Sequence, residues 1–240
     1  MAKIIDFPVL LIGPESCGKS LLLKGMQYFA SHSGCGWDFG SIPRHGRPTV
    51  GVDMVHFNLP LTLGDLKKRT ASKRQNSSIS IIVRELGGQM APLWPTYFDK
   101  DQCRGLIYCI DASNPFQASR ASVELVRVIT DLKLREIVKG ILIIFTKSAD
   151  FEPLESTSTG TSSENIDGLM SVMEMRNMML LDDILDEARQ YFKWIDVITK
   201  CSALTGVGLM EVFEWMETTA RREGMLGACM SDVQSIIFPI

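Results

Sequence analysis

The sequence lacks a long apolar run, a strong charge of one sign and closely spaced cysteines. No window reaches the roughly 20 consecutive apolar residues that a membrane-spanning helix needs, so we expect no transmembrane segment. The 25 Lys and Arg nearly balance the 28 Asp and Glu, and the resulting net charge of −3 argues against a nucleic-acid partner. The six cysteines are scattered without the spacing of a zinc knuckle, which favours a reducing compartment.

The two ends of the sequence carry no targeting signal that we recognise. Residues 1–6 contain no basic region followed by the apolar stretch of a secretory signal. Ala2 stands where N-myristoylation requires Gly, and the last residues, Ile236–Ile240, contain no prenylation box. We therefore expect a cytoplasmic protein with no lipid anchor.

The 240 residues are 45% hydrophobic and 22% charged, as in an ordinary globular protein. Six short apolar runs are typical of strands buried under helices, at residues 7–13, 50–61, 78–86, 104–111, 140–146 and 194–201. Helical stretches lie between most of them, at residues 19–31, 115–138, 166–191 and 207–222. This alternation predicts an α/β fold with a six-stranded, mostly parallel sheet and helices on both faces. The runs 50–61 and 78–86 have no helix between them and should pair antiparallel.

Three polar segments interrupt this pattern, near residues 31–48, 62–77 and 151–167. The third is rich in Ser and Thr, and such stretches bury little apolar surface. We expect all three to be surface loop insertions in a single domain spanning residues 1–222, followed by a C-terminal tail over residues 223–240.

The strongest motif is a complete G-x-x-x-x-G-K-[ST] loop between a strand and a helix: Gly13-Pro14-Glu15-Ser16-Cys17-Gly18-Lys19-Ser20. Gly13 and Gly18 let backbone N–H groups turn inward around a phosphate, and the helix N-terminus adds partial positive charge. Lys19 can reach the β- and γ-phosphate oxygens, and the Ser20 hydroxyl can ligate Mg²⁺. The loop predicts a nucleotide site but does not by itself separate ATPases, kinases and GTPases.

Four later motifs follow in order: Arg47-Pro48-Thr49-Val50-Gly51, Arg84-Glu85-Leu86-Gly87-Gly88-Gln89, Phe145-Thr146-Lys147 and Cys201-Ser202-Ala203-Leu204. In this order they resemble the small GTPases, and within these the ADP-ribosylation factor (Arf) and Arf-like family. The Pro-Thr-Val-Gly and Gly-Gly-Gln segments carry the likeness to that family. The resemblance implies a Ras-like P-loop domain with GTP or GDP and Mg²⁺ as its cofactors.

The resemblance also implies roles for the residues of two nucleotide-sensitive loops. Thr49 would bring its hydroxyl to Mg²⁺ and its N–H to the γ-phosphate, and the N–H of Gly88 would contact the same phosphate. Glu85 stands where the family has an Asp that holds Mg²⁺ through a water. Gln89 would be the catalytic residue that orients the attacking water. Loss of the γ-phosphate would release the contacts of Thr49 and Gly88 and so switch the protein.

The base-recognition segment departs from the family pattern Asn-Lys-x-Asp. Thr146 replaces the Asn, and Asp150 comes one residue late because Ala149 occupies the family position. Either Asp150 bulges inward to accept the two N–H donors of guanine, or guanine selectivity is reduced. Lys147 would lay its stem along the purine. The resemblance further places three residues near the base, with Leu204 replacing a family Lys: Ser202, Ala203 and Leu204.

We therefore expect a GTP-binding molecular switch that hydrolyses GTP slowly and works as a monomer with effector, exchange-factor and GTPase-activating proteins. Two alternatives stay open. The departures at Glu85, Thr146 and Asp150 are compatible with a nucleotide-dependent interaction module that has little or no hydrolysis. An ATP-using P-loop protein is the second alternative, against which the Gly-Gly-Gln and Ser-Ala elements argue.

Overall fold

The computed structural model describes residues 5–31, 49–60, 78–148 and 171–223, and these residues contain a six-stranded sheet. Its strands are β1 Ile5–Ile12, β2 Val52–Pro60, β3 Ser78–Leu86, β4 Gly105–Asp111, β5 Gly140–Thr146 and β6 Trp194–Cys201. Their order is β2-β3-β1-β4-β5-β6, and all neighbours pair parallel except β2 and β3. The predicted mostly parallel sheet with one antiparallel pair is confirmed.

Helices cover both faces of the sheet, as the alternation of strands and helices predicted. The helices are α1 Lys19–Ser31, α2 Ala118–Thr130, α3 Leu132–Ile137, α4 Val172–Met178, α5 Leu181–Ala188 and α6 Leu209–Arg222. One apolar core lies under α1 and α6, and a second lies under α2 to α5. All seven residues of β4 and of β5 are buried, because both of their faces are covered.

Two predicted helices are each divided in the structure. The stretch 115–138 breaks at Asp131, whose backbone is extended and whose carboxylate accepts the Leu134 N–H to start α3. The stretch 166–191, described from Ser171 onward, breaks at Leu180, which has a left-handed φ of 50°. Apolar periodicity continues across both breaks, so the sequence pattern alone did not reveal them.

The predicted insertions and the tail lie outside the described residues, apart from Ser31 at the end of α1 and Glu223 after α6. Within the described ranges, no helix is both long and apolar enough to cross a membrane. The four cysteines in these ranges are buried and form no disulfide with one another: Cys17, Cys103, Cys109 and Cys201.

Candidate nucleotide-binding site

The carboxyl ends of the parallel strands bring the predicted site residues to one edge of the sheet. The phosphate-binding loop, residues 13–20, follows β1 there, Glu85 lies near the end of β3, and Thr146 ends β5. Ser202 directly follows β6 at the same edge. In open α/β sheets this edge is where ligands bind, because loops from several strands meet there.

The phosphate-binding loop has the backbone conformation that its glycines permit. Gly13 and Gly18 have φ values of +146° and +89°, and a Cβ on Gly13 would lie 2.3 Å from the Cys109 carbonyl oxygen. Lys19 is buried, and its Nζ donates to the carbonyl oxygens of Gly13 at 2.9 Å and Pro14 at 2.8 Å. The ammonium group therefore lies within the loop, where a phosphate could become its acceptor.

Three oxygen-bearing side chains meet beside the start of α1. The Ser20 and Thr49 hydroxyl oxygens are 2.9 Å apart, and they lie 2.6 and 3.0 Å from Glu85 Oε1. Glu85 is 1% exposed, and its Oε2 has no hydrogen-bond partner among the described residues. Burial raises the pKa of the Glu85 carboxyl, while the two hydroxyl hydrogen bonds act in the opposite direction.

The chemistry of this cluster fits Mg²⁺. Mg²⁺ takes oxygen ligands about 2.0–2.1 Å away, with near-octahedral geometry, and one carboxylate beside two hydroxyls is a suitable set. A cation there would also offset the cost of a buried carboxylate oxygen that lacks a donor. Ser20, Thr49 and, through a water, Glu85 are the residues that would hold the ion, and this assignment stays a prediction.

A 3₁₀-helical segment, Gly88–Tyr97, lies directly against the phosphate-binding loop. A Cβ on Gly88 would lie 2.3 Å from the backbone nitrogen of Glu15, so only glycine allows this approach. Gln89 Nε2 donates to Glu15 Oε1 at 2.9 Å. The structure therefore places the predicted catalytic amide at the phosphate-binding loop.

Trp94 fixes the far part of this segment to the core. Its ring is 1% exposed and contacts Tyr108 edge-on, with the centroids 6.5 Å apart. Trp94 Nε1 donates to the Gly87 carbonyl oxygen at 3.2 Å, which ties the segment back to its own start. The sequence motifs predicted neither this 3₁₀ segment nor the role of Trp94.

The side of the site expected to bind the base combines β5, the phosphate-binding loop and the loop after β6. The Thr146 hydroxyl lies 2.5 Å from the Cys17 carbonyl oxygen and 3.0 Å from that of Ile110. After β6, Ser202 Oγ accepts the N–H groups of Leu204 at 3.2 Å and Thr205 at 3.1 Å. These contacts hold the predicted Ser-Ala-Leu turn beside α1, where Ala203 packs on Gly25.

One charged residue of this region, Asp111, belongs to no motif that assigned it a role. It ends β4, its carboxylate is buried, and it forms an ion pair with the partly exposed Lys147, with Nζ 2.6 Å from Oδ2. Its signal was an acidic residue at the end of a fully apolar run, at the sheet edge where ligands bind. Asp150, the expected base reader, lies outside the described residues, so its role stays a prediction.

Comparison with known proteins gives concordant results. The model of the ADP-ribosylation factor family matches residues 67–220. ADP-ribosylation factor-like protein 16 of Homo sapiens is 31% identical over 212 residues, which cover 88% of this chain and 85% of that protein. ADP-ribosylation factor-like protein 3 of Chlamydomonas reinhardtii is 28% identical over 211 residues, or 87% of each chain.

A solved structure is similar in fold. The Arl6 BBS3 small GTPase from Trypanosoma brucei, with bound nucleotide analogue GppNp, aligns with a TM-score of 0.57 and 17% identity. The alignment covers 92% of this chain and 99% of that one. At this level of identity the likeness supports the fold of the described sheet and helices.

Proposed function

The chain belongs to the ADP-ribosylation factor family of small GTPases, which are GTP-binding switches, and on that premise we propose how it works. It binds GTP together with Mg²⁺ at the edge of the sheet described above. It hydrolyses the GTP slowly, and two loops pass the nucleotide state to effector proteins. Exchange factors would replace bound GDP with GTP, and GTPase-activating proteins would speed hydrolysis of the bound GTP.

The observation that carries the proposal is the meeting of Ser20, Thr49 and Glu85. These residues come from three separate segments of the chain, yet their oxygens lie within 3.0 Å of one another. A divalent cation needs such convergence of oxygens, and the buried Glu85 Oε2, which lacks a donor among the described residues, lies beside it.

The residues of the chain divide the work between binding and reaction. Lys19 and the N–H groups of the phosphate-binding loop hold the phosphates, and Thr49 and Gly88 contact the terminal one. When bound, Mg²⁺ neutralises developing charge on the phosphate oxygens. Gln89, at the edge of the loop, orients the attacking water through its amide. Departure of the terminal phosphate frees Thr49 and Gly88, and both loops shift.

Guanine recognition rests on the segment after β5 and the turn after β6. Thr146 and Ser202 fix these loops by hydrogen bonds, and the backbone N–H of Ala203 would donate to the guanine oxygen. We keep Asp150 as the proposed acceptor of the guanine N–H donors. Replacement of Asp150 by Asn should then weaken GTP binding and improve binding of xanthosine triphosphate.

The decisive experiment identifies the nucleotide that copurifies with the protein and follows hydrolysis of one bound equivalent of GTP. We expect GDP or GTP, and slow release of phosphate that requires Mg²⁺. Bound ATP would favour the ATP-using alternative. Bound GTP that is never hydrolysed would favour the nucleotide-dependent interaction module.

Lys19→Ala tests the phosphate-binding loop itself. We expect triphosphate affinity, measured by calorimetry, to fall at least about tenfold, because a buried cation facing two phosphate oxygens is lost. Lys24→Ala is the matched control, since Lys24 is exposed on the same helix. Equal affinity of Lys19→Ala and wild type would contradict the assignment of the loop.

A further inference from the structure

We propose that Asp111 is a positioning residue of the nucleotide site. By holding the Lys147 ammonium, it fixes the position of the Lys147 side chain, which is expected to lie along the base. This inference rests on the proposed function, because it assumes that a guanine nucleotide occupies the site. It assigns a role to a residue for which the sequence motifs gave none.

Asp111 is buried and all of its carboxylate contacts are specific. Its side chain is 3% exposed at the end of β4. Oδ1 accepts the backbone N–H of Ser113 at 2.9 Å and the Ser113 hydroxyl at 2.6 Å. Oδ2 accepts the Lys147 ammonium at 2.6 Å. Ser113 thus orients the carboxylate, and the carboxylate in turn binds Lys147, so both of its oxygens already have donors from the protein.

Lys147 is held in a conformation that a lysine adopts rarely. Its φ is +60°, in the left-handed region, which is unfavourable for a residue that has a Cβ. Its ammonium also donates to the Ser16 carbonyl oxygen at 3.0 Å. The side chain therefore spans from β5 to the phosphate-binding loop, with Cε 3.6 Å from the Cβ position of Gly18. Two anchors at one end keep the aliphatic stem extended over that loop.

The sequence explains why this chain would depend on such an anchor. Ala149 stands where the family pattern has an acidic residue, so the segment lacks a carboxylate at that position. The ion pair supplies fixed geometry from the neighbouring strand instead, and Ala112 N–H donating to the Thr146 carbonyl oxygen ties the same two strand ends. The other candidate site residues form separate hydrogen bonds: Gln89 with Glu15, and Glu85 with Ser20 and Thr49. The ion pair of Asp111 and Lys147 takes no part in them.

The test is a double-mutant cycle on the release of a fluorescent GDP. Asp111→Asn keeps the acceptor for Ser113 and removes the charge, and Lys147→Met keeps the stem and removes the ammonium. We expect each variant to speed release at least about tenfold, because Asp111→Asn frees the Lys147 ammonium from its charged partner and Lys147→Met leaves the buried Asp111 carboxylate without its cation. The double variant should release GDP no faster than the faster single variant, because the two charges act as one unit.

Three further measurements separate positioning from general damage to the fold. In Asp111→Asn, single-turnover hydrolysis of bound GTP should fall less than about threefold, whereas release changes at least about tenfold. Asp183→Asn, on an exposed part of α5, is the matched control and should release GDP at the wild-type rate. The double variant, which leaves neither charge unpaired, should keep the wild-type melting temperature within a few degrees.

Unchanged release in Asp111→Asn, additive effects in the double variant, or equal losses in release and hydrolysis would each overturn the inference. Failure of the wild-type protein to bind the fluorescent GDP would contradict the proposed function instead, so the two failures are distinguishable.

Discussion

At the scale of single residues, Glu85 shows how a departure from a family pattern is accommodated. The family position holds an Asp, and the extra methylene of Glu raises the question of whether the carboxylate still reaches the metal side. Glu85 Oε1 lies within hydrogen-bond distance of both Ser20 and Thr49, and Oε2 stays buried beside them. The longer side chain therefore still brings its carboxylate to the Ser20 and Thr49 hydroxyls, beside which the proposed Mg²⁺ would bind.

Gln89 is the residue on which the rate of hydrolysis should depend. Gln89→Leu keeps the bulk of the side chain but cannot hold a water, so we expect single-turnover hydrolysis to slow at least about tenfold, or about 1.4 kcal/mol of barrier. Nucleotide affinity should change little, because the amide contacts Glu15 and not the buried Lys19. Gln190→Leu, at an exposed position, is the control. Equal rates for wild type and Gln89→Leu would exclude this role.

The convergence of most candidate site residues was predictable from the sequence, because a motif fixes both their spacing and their chemistry. The phosphate-binding loop, Thr49, Gly88 and Gln89 meet as the order of motifs indicated. Asp111 was missed because no motif gave it a role, and only the strand order shows that the end of β4 lies beside the end of β5, where Lys147 follows. Single-sequence motifs describe neighbours along the chain and contain little information about such pairs.

At the scale of elements, the 3₁₀ segment Gly88–Tyr97 connects the reaction side of the site with the core. Pro92 and Pro95 lack N–H groups, so an ordinary α-helix is unfavourable over these residues. A helical sequence pattern is therefore not expected in this segment. The strands were predicted well because continuous apolar runs of this length suit a sheet covered on both faces. Trp94 then anchors the segment through its ring and its N–H group.

Trp94→Phe tests this anchor while keeping an aromatic ring. The substitution removes the Nε1–H donor and leaves the Gly87 carbonyl oxygen without this hydrogen bond, which should lower the free energy of opening the segment by about 1–3 kcal/mol. We expect faster amide hydrogen exchange across residues 87–97. Trp215→Phe is a matched control, because Trp215 Nε1 is buried without a partner among the described residues. If both variants leave exchange in 87–97 unchanged, the anchor has no part in ordering the segment.

At the scale of the whole molecule, the sheet separates two apolar cores. Leu125 of α2 lies in one core and Phe213 of α6 in the other, and both are at most 1% exposed. Every central strand contributes side chains to both cores, since successive residues of a strand point to opposite faces. The described domain should therefore unfold as one unit although its cores do not touch.

Leu125→Ala and Phe213→Ala test this arrangement by urea denaturation. Each should lower the free energy of unfolding, by about 2–5 kcal/mol for Leu125→Ala and about 3–5 kcal/mol for Phe213→Ala. Their effects should add within about 0.5 kcal/mol, because the two sites share no contacts across the sheet. A double variant that unfolds in two separate transitions would show that the cores are independent units.

Two buried cysteines can serve as probes of local opening. Burial raises the pKa of the Cys17 thiol and of the Cys109 thiol, so thiolate is scarce, and neither side chain is exposed to an alkylating reagent in the structure described. Cys17 lies within the phosphate-binding loop, 3.7 Å from Lys19 Nζ, whereas Cys109 lies inside the sheet. The rate at which Cys17 is alkylated should therefore report how often the phosphate-binding loop opens. The rate at which Cys109 is alkylated should report how often the sheet opens.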